Sequence, residues 1–161
     1  MPIKTRILVD NVFYHIMTRG NQKQEVFREE SDYNEYLIRI KRYKRRYNFK
    51  LYGFCLMPNH VHLIGEIGKK EDLSKFMQGI NRSYTEHFNN KYDKVGHLWQ
   101  GRFKSKLIVR DPYAINCINY IESNPVRAGI AANPHDYRWS SYKERVLSLM
   151  ETGEILDMLK L

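Results

Sequence analysis

The sequence predicts an α+β fold: a four-stranded antiparallel sheet with helices on its faces, in ferredoxin-like order. Three observations predict it. Strand-like runs alternate with segments of helical periodicity in the order β-α-β-β-α-β-α. A Met-Pro-Asn turn joins the second and third strands into a hairpin. The chain has 161 residues, 42% apolar and 28% charged, enough to bury a sizeable core around one sheet.

Each element has its own signal. Asn11 to Thr18 is rich in β-formers and ends at the turn Arg19-Gly20-Asn21. From Ser31 to Tyr47, Tyr33, Tyr36, Leu37, Ile40, Tyr43 and Tyr47 recur at helical spacing, opposite a basic face running from Arg39 to Arg46. Phe49 to Met57 and His60 to Ile67 are strands on either side of Pro58-Asn59. Glu71 to Asn90 is a second helix, with Leu73, Phe76, Met77, Ile80, Tyr84 and Phe88 on one side. A loop, Gly96-His97-Leu98-Trp99-Gln100-Gly101, leads into a fourth strand, Phe103 to Val109. Asp111-Pro112 signals the start of a third helix. That helix should stop near Asn124, because a residue before proline is pushed out of the α region. Short helices are expected over Ser141 to Met150 and Glu154 to Leu159. Residues 1–130 are thus expected to form the main domain, with 131–161 a C-terminal helical extension packed on or near it.

Lys and Arg outnumber Asp and Glu by 27 to 18, a net charge of +9. That excess points to a polyanionic partner, nucleic acid first. Cys55 and Cys117 fit reduced, packed thiols in a cytosolic protein better than a disulfide framework. No signal peptide and no run of membrane-spanning length is visible, so no membrane partner is expected.

The candidate chemistry centres on His60 and His62. Residues i and i+2 share a strand face, so both imidazoles should project together while Val61 and Leu63 enter the core. Two imidazoles on a rigid strand are half of a metal site. On the third helix, Ala114, Ile115, Ile118 and Ile121 form the buried stripe. Tyr113, Asn116, Tyr120 and Asn124 lie opposite, with Asn124 at i+4 from Tyr120. If that face covers the histidines, His60, His62 and the Asn124 carbonyl oxygen make a neutral ligand trio with open positions for phosphate oxygens. Tyr120 can then attack phosphorus. Tyr113 is the rival nucleophile, but Cys117 stands where its i+4 amide would be. Arg102, Lys104 and Lys106 follow an aromatic loop whose Trp99 is placed to stack an unpaired base. Arg19 and Asn21, in a turn at a strand end, are further candidate nucleic-acid contacts. His15, His87, His97 and His135 are read as packing or surface residues. Glu66, on the histidine face, is read as a solvated carboxylate.

Four motifs stand in order: Met57-Pro58-Asn59-His60-Val61-His62; Gly96-His97-Leu98-Trp99-Gln100-Gly101-Arg102-Phe103; Tyr120-Ile121-Glu122-Ser123-Asn124-Pro125-Val126-Arg127-Ala128-Gly129; and Trp139-Ser140-Ser141-Tyr142. With Arg19-Gly20-Asn21 they resemble the REP-associated tyrosine transposases, single-tyrosine HUH-type relatives of the small insertion-sequence transposases. The resemblance covers roughly residues 10 to 145. It implies a metal-dependent endonuclease and strand transferase for single-stranded DNA hairpins, with a 5′-phosphotyrosine intermediate. Tyr120 matches the nucleophile, His60 and His62 the metal ligands, and Asn124 a third ligand where the insertion-sequence branch tends to carry glutamine. Mg²⁺ or Mn²⁺ is the implied ion, palindromic hairpin DNA the partner, and the bacterial cytoplasm and nucleoid the location. Monomer and homodimer both fit. Three other readings compete: a domesticated hairpin-binding protein without turnover, an RRM-like RNA-binding domain suggested by Lys50-Leu51-Tyr52-Gly53-Phe54, and a zinc-stabilised interaction domain, which would want four Cys or His ligands where only a pair is evident.

Overall fold

The computed structural model describes residues 9–108, 113–147, 155–157 and 159. Strands β1 (Val12–Arg19), β2 (Phe49–Met57), β3 (His60–Ile67) and β4 (Lys104–Ile108) form one antiparallel sheet in the order β2-β3-β1-β4. Helices α1 (Glu30–Arg46) and α2 (Lys70–Tyr92) follow β1 and β3, and α3 (Tyr113–Glu122) follows β4. This is the expected ferredoxin-like arrangement. Asp111-Pro112 and Val109 lie outside the described residues.

The periodicities read in the sequence decide the layers. Val61 and Leu63 are buried, as the β3 alternation requires. Their face of the sheet carries α1 and α2. There Phe49 stacks on Phe76 with centroids 4.2 Å apart, and Asn81 Nδ2 donates to Thr18 Oγ1 at 3.1 Å. The α1 N-terminus is anchored to α2 through Asp32, which is fully buried. Its carboxylate accepts from the Arg28 amide at 3.0 Å, His87 Nε2 at 3.2 Å, Lys91 Nζ at 2.9 Å and the Tyr92 hydroxyl. Burial pushes the Asp32 carboxyl up, but these donors outweigh it and hold it at about 2. His87, expected as a packing or surface residue, packs here as part of this network.

The opposite face carries α3. Gly53 lets the helix sit close, since a Cβ there would stand 3.0 Å from Ile64 and 3.3 Å from Ile118. The helix does not simply stop before Pro125. It ends at Glu122, passes Ser123 with α-region torsions, and resumes as a short turn, α4 (Asn124–Arg127). Asn124 is thus helical ahead of a proline, against the steric preference. The Val126 and Arg127 amides donate to Ser123 O, and Ala128 N donates to Asn124 O, so the turn closes despite the proline.

The chain then returns to β2. Leu56 N donates to Trp139 O at 2.8 Å, Ser141 N to Phe54 O at 2.9 Å, and the Tyr137 hydroxyl to Leu56 O at 2.5 Å. Trp139 stacks on Tyr33 of α1 at 4.6 Å. Helix α5 covers Tyr142–Leu147; 148–150 lie outside the described residues. The helix expected over Glu154 to Leu159 is a correction: its described residues are not helical. The Glu144 carboxylate takes the Ile155 amide at 2.6 Å and the Leu156 amide at 3.1 Å. Asp157 exchanges two bonds with the Leu51 backbone. The segment is instead held to β2, with the Asp157 amide on the Leu51 carbonyl and its carboxylate on the Leu51 amide.

Candidate functional site

Register places the histidine pair. Arg19 and Met57 flank His60 across the neighbouring strands, and Met17 and Cys55 flank His62. The two imidazole centroids are 5.0 Å apart. His60 is half-buried and His62 buried.

Each ring has a partner at Nδ1. His60 Nδ1 lies 2.6 Å from Asn59 Oδ1, and His62 Nδ1 lies 2.9 Å from His15 Nε2. An Nδ1–H that donates outward leaves Nε2 with its lone pair, the arrangement a metal-ligating histidine needs. His15 is a correction. It was read as a packing or surface residue, but it stacks on His62 with centroids 5.1 Å apart and orients it. It lies diagonally across β1 from His62, a relation fixed by register alone.

Electrostatics keep these rings neutral. Burial pushes His62 down to about 3, with His15, His60, Arg127 and Arg19 adding to the effect. Burial, then Arg19, lowers His60; burial, then Lys106, lowers His15. A neutral imidazole is the ligating form.

The helical residues close in from above. Asn124 Nδ2 is 3.2 Å from His60 Nε2. The two ends of a carboxamide exchange by a half-turn, so either can face that nitrogen. Tyr120 precedes it by one turn and is 55% exposed, with its ring under the Arg127 guanidinium at 3.9 Å. Tyr113 is exposed at the far end of α3. Among the described residues no three His, Cys, Asp or Glu side chains form a metal cluster. The third donor available here is an amide, outside those types. Two neutral imidazoles with outward Nδ1 partners and an adjacent amide fit a divalent cation that keeps positions open for anionic oxygens. Glu66 accepts from the Tyr52 hydroxyl at 3.0 Å rather than standing free in solvent.

The basic candidates lie on the same end of the sheet. Lys104 and Lys106 are exposed on β4, opposite Met17 and His15. Met17, Arg19, Gln100, Arg102 and Lys104 line a cavity of about 90 Å³. The loop is zipped to β1 by Asn21 N donating to Leu98 O and Gln100 N to Arg19 O, both at 2.8 Å. Gly20 permits the turn, because a Cβ there would stand 2.3 Å from Gln24 O. Between this loop and α2 is a larger cavity of about 690 Å³, lined in part by Asn21, Asn81, Arg82, Thr85, His97 and Arg102. Trp99 is a second correction. It offers no open stacking face: it is 8% exposed, packed near Tyr36 and Tyr84, with Nε1 donating to Asn81 O at 3.3 Å. Its indole fixes the loop.

An antiparallel sheet carries the histidine pair beneath the end of a tyrosine-bearing helix, and comparison with known proteins gives the family. The family described as "Transposase IS200 like" matches residues 8–124, and the chain belongs to it. It is similar to a Haemophilus influenzae protein named as a REP-associated tyrosine transposase, 28% identical over 128 residues, covering 72% of each chain. Its fold matches the structure of a REP-associated tyrosine transposase bound to a REP hairpin, with a TM-score of 0.76 at 20% identity over 100% of this chain and 95% of that one. A Deinococcus radiodurans protein described as a transposase matches with a TM-score of 0.51 at 16% identity, over 76% and 97%. The resemblance drawn from the motifs is borne out. No helix among the described residues is long and apolar enough to cross a membrane.

Proposed function

We propose that this transposase cleaves and rejoins single-stranded DNA at hairpins formed by palindromic repeats. The observation that carries the reading is the meeting of His60 and His62 with Asn124, 3.2 Å from His60 Nε2, one turn from an exposed tyrosine. The hairpin as substrate is taken from the relative solved with a REP hairpin bound.

In this reading Tyr120 Oη attacks a phosphodiester phosphorus. The Oη–P bond forms and the P–O3′ bond breaks. The phenol proton passes to water, and the departing 3′-oxygen takes one up. The products are a tyrosine joined to the 5′-phosphate and a free 3′-hydroxyl, and attack by another 3′-hydroxyl reverses the step onto a new strand. Bond energy is conserved, so no nucleotide cofactor is required. His60, His62 and Asn124 would hold a divalent cation, Mg²⁺ or Mn²⁺, which when bound supplies Lewis-acid polarisation of the phosphate. Arg19, Arg102, Lys104 and Lys106 would guide the backbone toward the site, and Asn21 would contact the hairpin from the β1 turn. His15 holds the His62 ring in its ligating tautomer.

The test is an SDS-stable protein–DNA adduct on a labelled hairpin oligonucleotide with Mg²⁺ or Mn²⁺. Wild type and Tyr113→Phe should form it, and Tyr120→Phe should not. Tight hairpin binding without cleavage under any metal would favour a binding protein that has lost turnover.

A further inference from the structure

Arg127, outside the site residues expected from the sequence, contacts the tyrosine and asparagine of the candidate site. It lies on α4, past the proline, and its side chain folds back over the end of α3. The guanidinium carbon sits 3.9 Å from the Tyr120 ring centroid. Nη2 donates to Tyr120 O at 2.8 Å and lies 3.4 Å from Asn124 Oδ1, and Nη1 donates to Ser123 Oγ. Among the described residues no carboxylate pairs with it, although it is exposed and rich in rotamers. A cation near a helix C-terminus ordinarily serves the exposed carbonyls alone. That role explains the Tyr120 carbonyl contact but not the guanidinium standing over the Tyr120 ring. Tyr113, the other exposed tyrosine of α3, has no such cation among the described residues.

We propose that Arg127 is the positioning residue for the nucleophile: one guanidinium pins both the backbone and the ring of Tyr120 and so sets the direction of its phenol. This rests on Tyr120 being the attacking group. An exposed tyrosine samples several rotamers, and in-line attack uses only one. A misplacement of about 1 Å can cost on the order of a hundredfold in rate. The planar fork is needed, because an ammonium cannot stack on a ring while bonding a carbonyl and a hydroxyl in one plane.

The discriminating variant is Arg127→Lys, which keeps the charge and removes the fork. Four quantities are measured: the single-turnover rate of adduct formation, hairpin affinity, the melting temperature, and the Tyr120 ring resonances, assigned by their disappearance in Tyr120→Phe. The expected result is a rate at least tenfold lower, affinity within threefold of wild type, an unchanged melting temperature, and Tyr120 resonances shifted and averaged. A rate within twofold of wild type overturns the proposal, as does a rate loss matched by an equal loss of affinity or of folding. If wild type forms no adduct, the cleavage reading itself has failed. The ring resonances then still decide the positioning role, since unchanged shifts in Arg127→Lys mean that Arg127 does not hold Tyr120.

Discussion

Glu122 is the point at which the helix bearing Tyr120 is tied to the C-terminal part of the chain. Its carboxylate is 1% exposed. It accepts from Ser141 Oγ at 2.7 Å, from Arg145 Nε at 2.9 Å and from Arg145 Nη2. Glu122→Gln keeps the shape but removes the charge, and its amide NH₂ must face one of these donors. A hydrogen bond to a charged group contributes about 1.5–3 kcal/mol, and breaking a buried ion pair costs about 3–5 kcal/mol. The Arg145 side chain is 31% exposed and regains some hydration, which lowers the upper figure. The expected loss is therefore about 3 kcal/mol, or roughly 6–12 °C in melting temperature for a chain of this size. Urea denaturation of Glu122→Gln, Arg145→Met and the double variant forms the appropriate cycle. The pair should show a coupling of about 1–2 kcal/mol. Additive single effects, or a Glu122→Gln loss below about 0.5 kcal/mol, would refute the view that this ion pair holds α3.

Three further outcomes are expected. Asp32 is held at about 2 against an ordinary 3.8, so it contributes about 2 kcal/mol that is complete above about pH 5 and fades as the pH falls through 2; acid titrations of stability should show this slope in wild type and not in Asp32→Asn. Gly53→Val forces β2 and α3 apart at Ile118 and should cost about 1–3 kcal/mol in urea denaturation, together with most of the adduct yield. Arg102→Ala and Lys104→Ala should each lower the slope of log affinity for a single-stranded oligonucleotide against log salt by about 0.7, with adduct chemistry retained at low salt.

Much of this architecture is written locally. The alternation of Val61 and Leu63 with His60 and His62 fixes one strand and its two faces, and the α2 stripe from Leu73 to Phe88 fixes a helix. What escaped the sequence depends on register and on turns. His15 meets His62 only because β1 pairs with β3 in a particular alignment. Arg127 reaches Tyr120 only because the chain continues helically through Asn124-Pro125. Trp99 looks like an exposed loop aromatic until Gly20 draws its loop onto β1 and turns the indole inward. The segment at 155–157 carries helix-forming residues, but it lies along Leu51 of β2 and exchanges bonds with it instead of coiling. In each case a partner distant in sequence decides the outcome.

The return of the chain to β2 has a consequence for the protein's solution behaviour. A strand at the margin of a sheet is a template for another chain. Here the amides of Leu51, Phe54 and Leu56 are all taken by the protein's own tail, at Asp157, Ser141 and Trp139. The opposite margin, β4, is short and bears Lys104 and Lys106, whose charges repel an approaching strand. A chain shortened before Trp139 would lose the Ser141 and Arg145 partners of Glu122 and also expose a long apolar template, so it should self-associate into strand-paired aggregates. The tail thus acts as a built-in guard against polymerisation, apart from any part it takes in handling DNA.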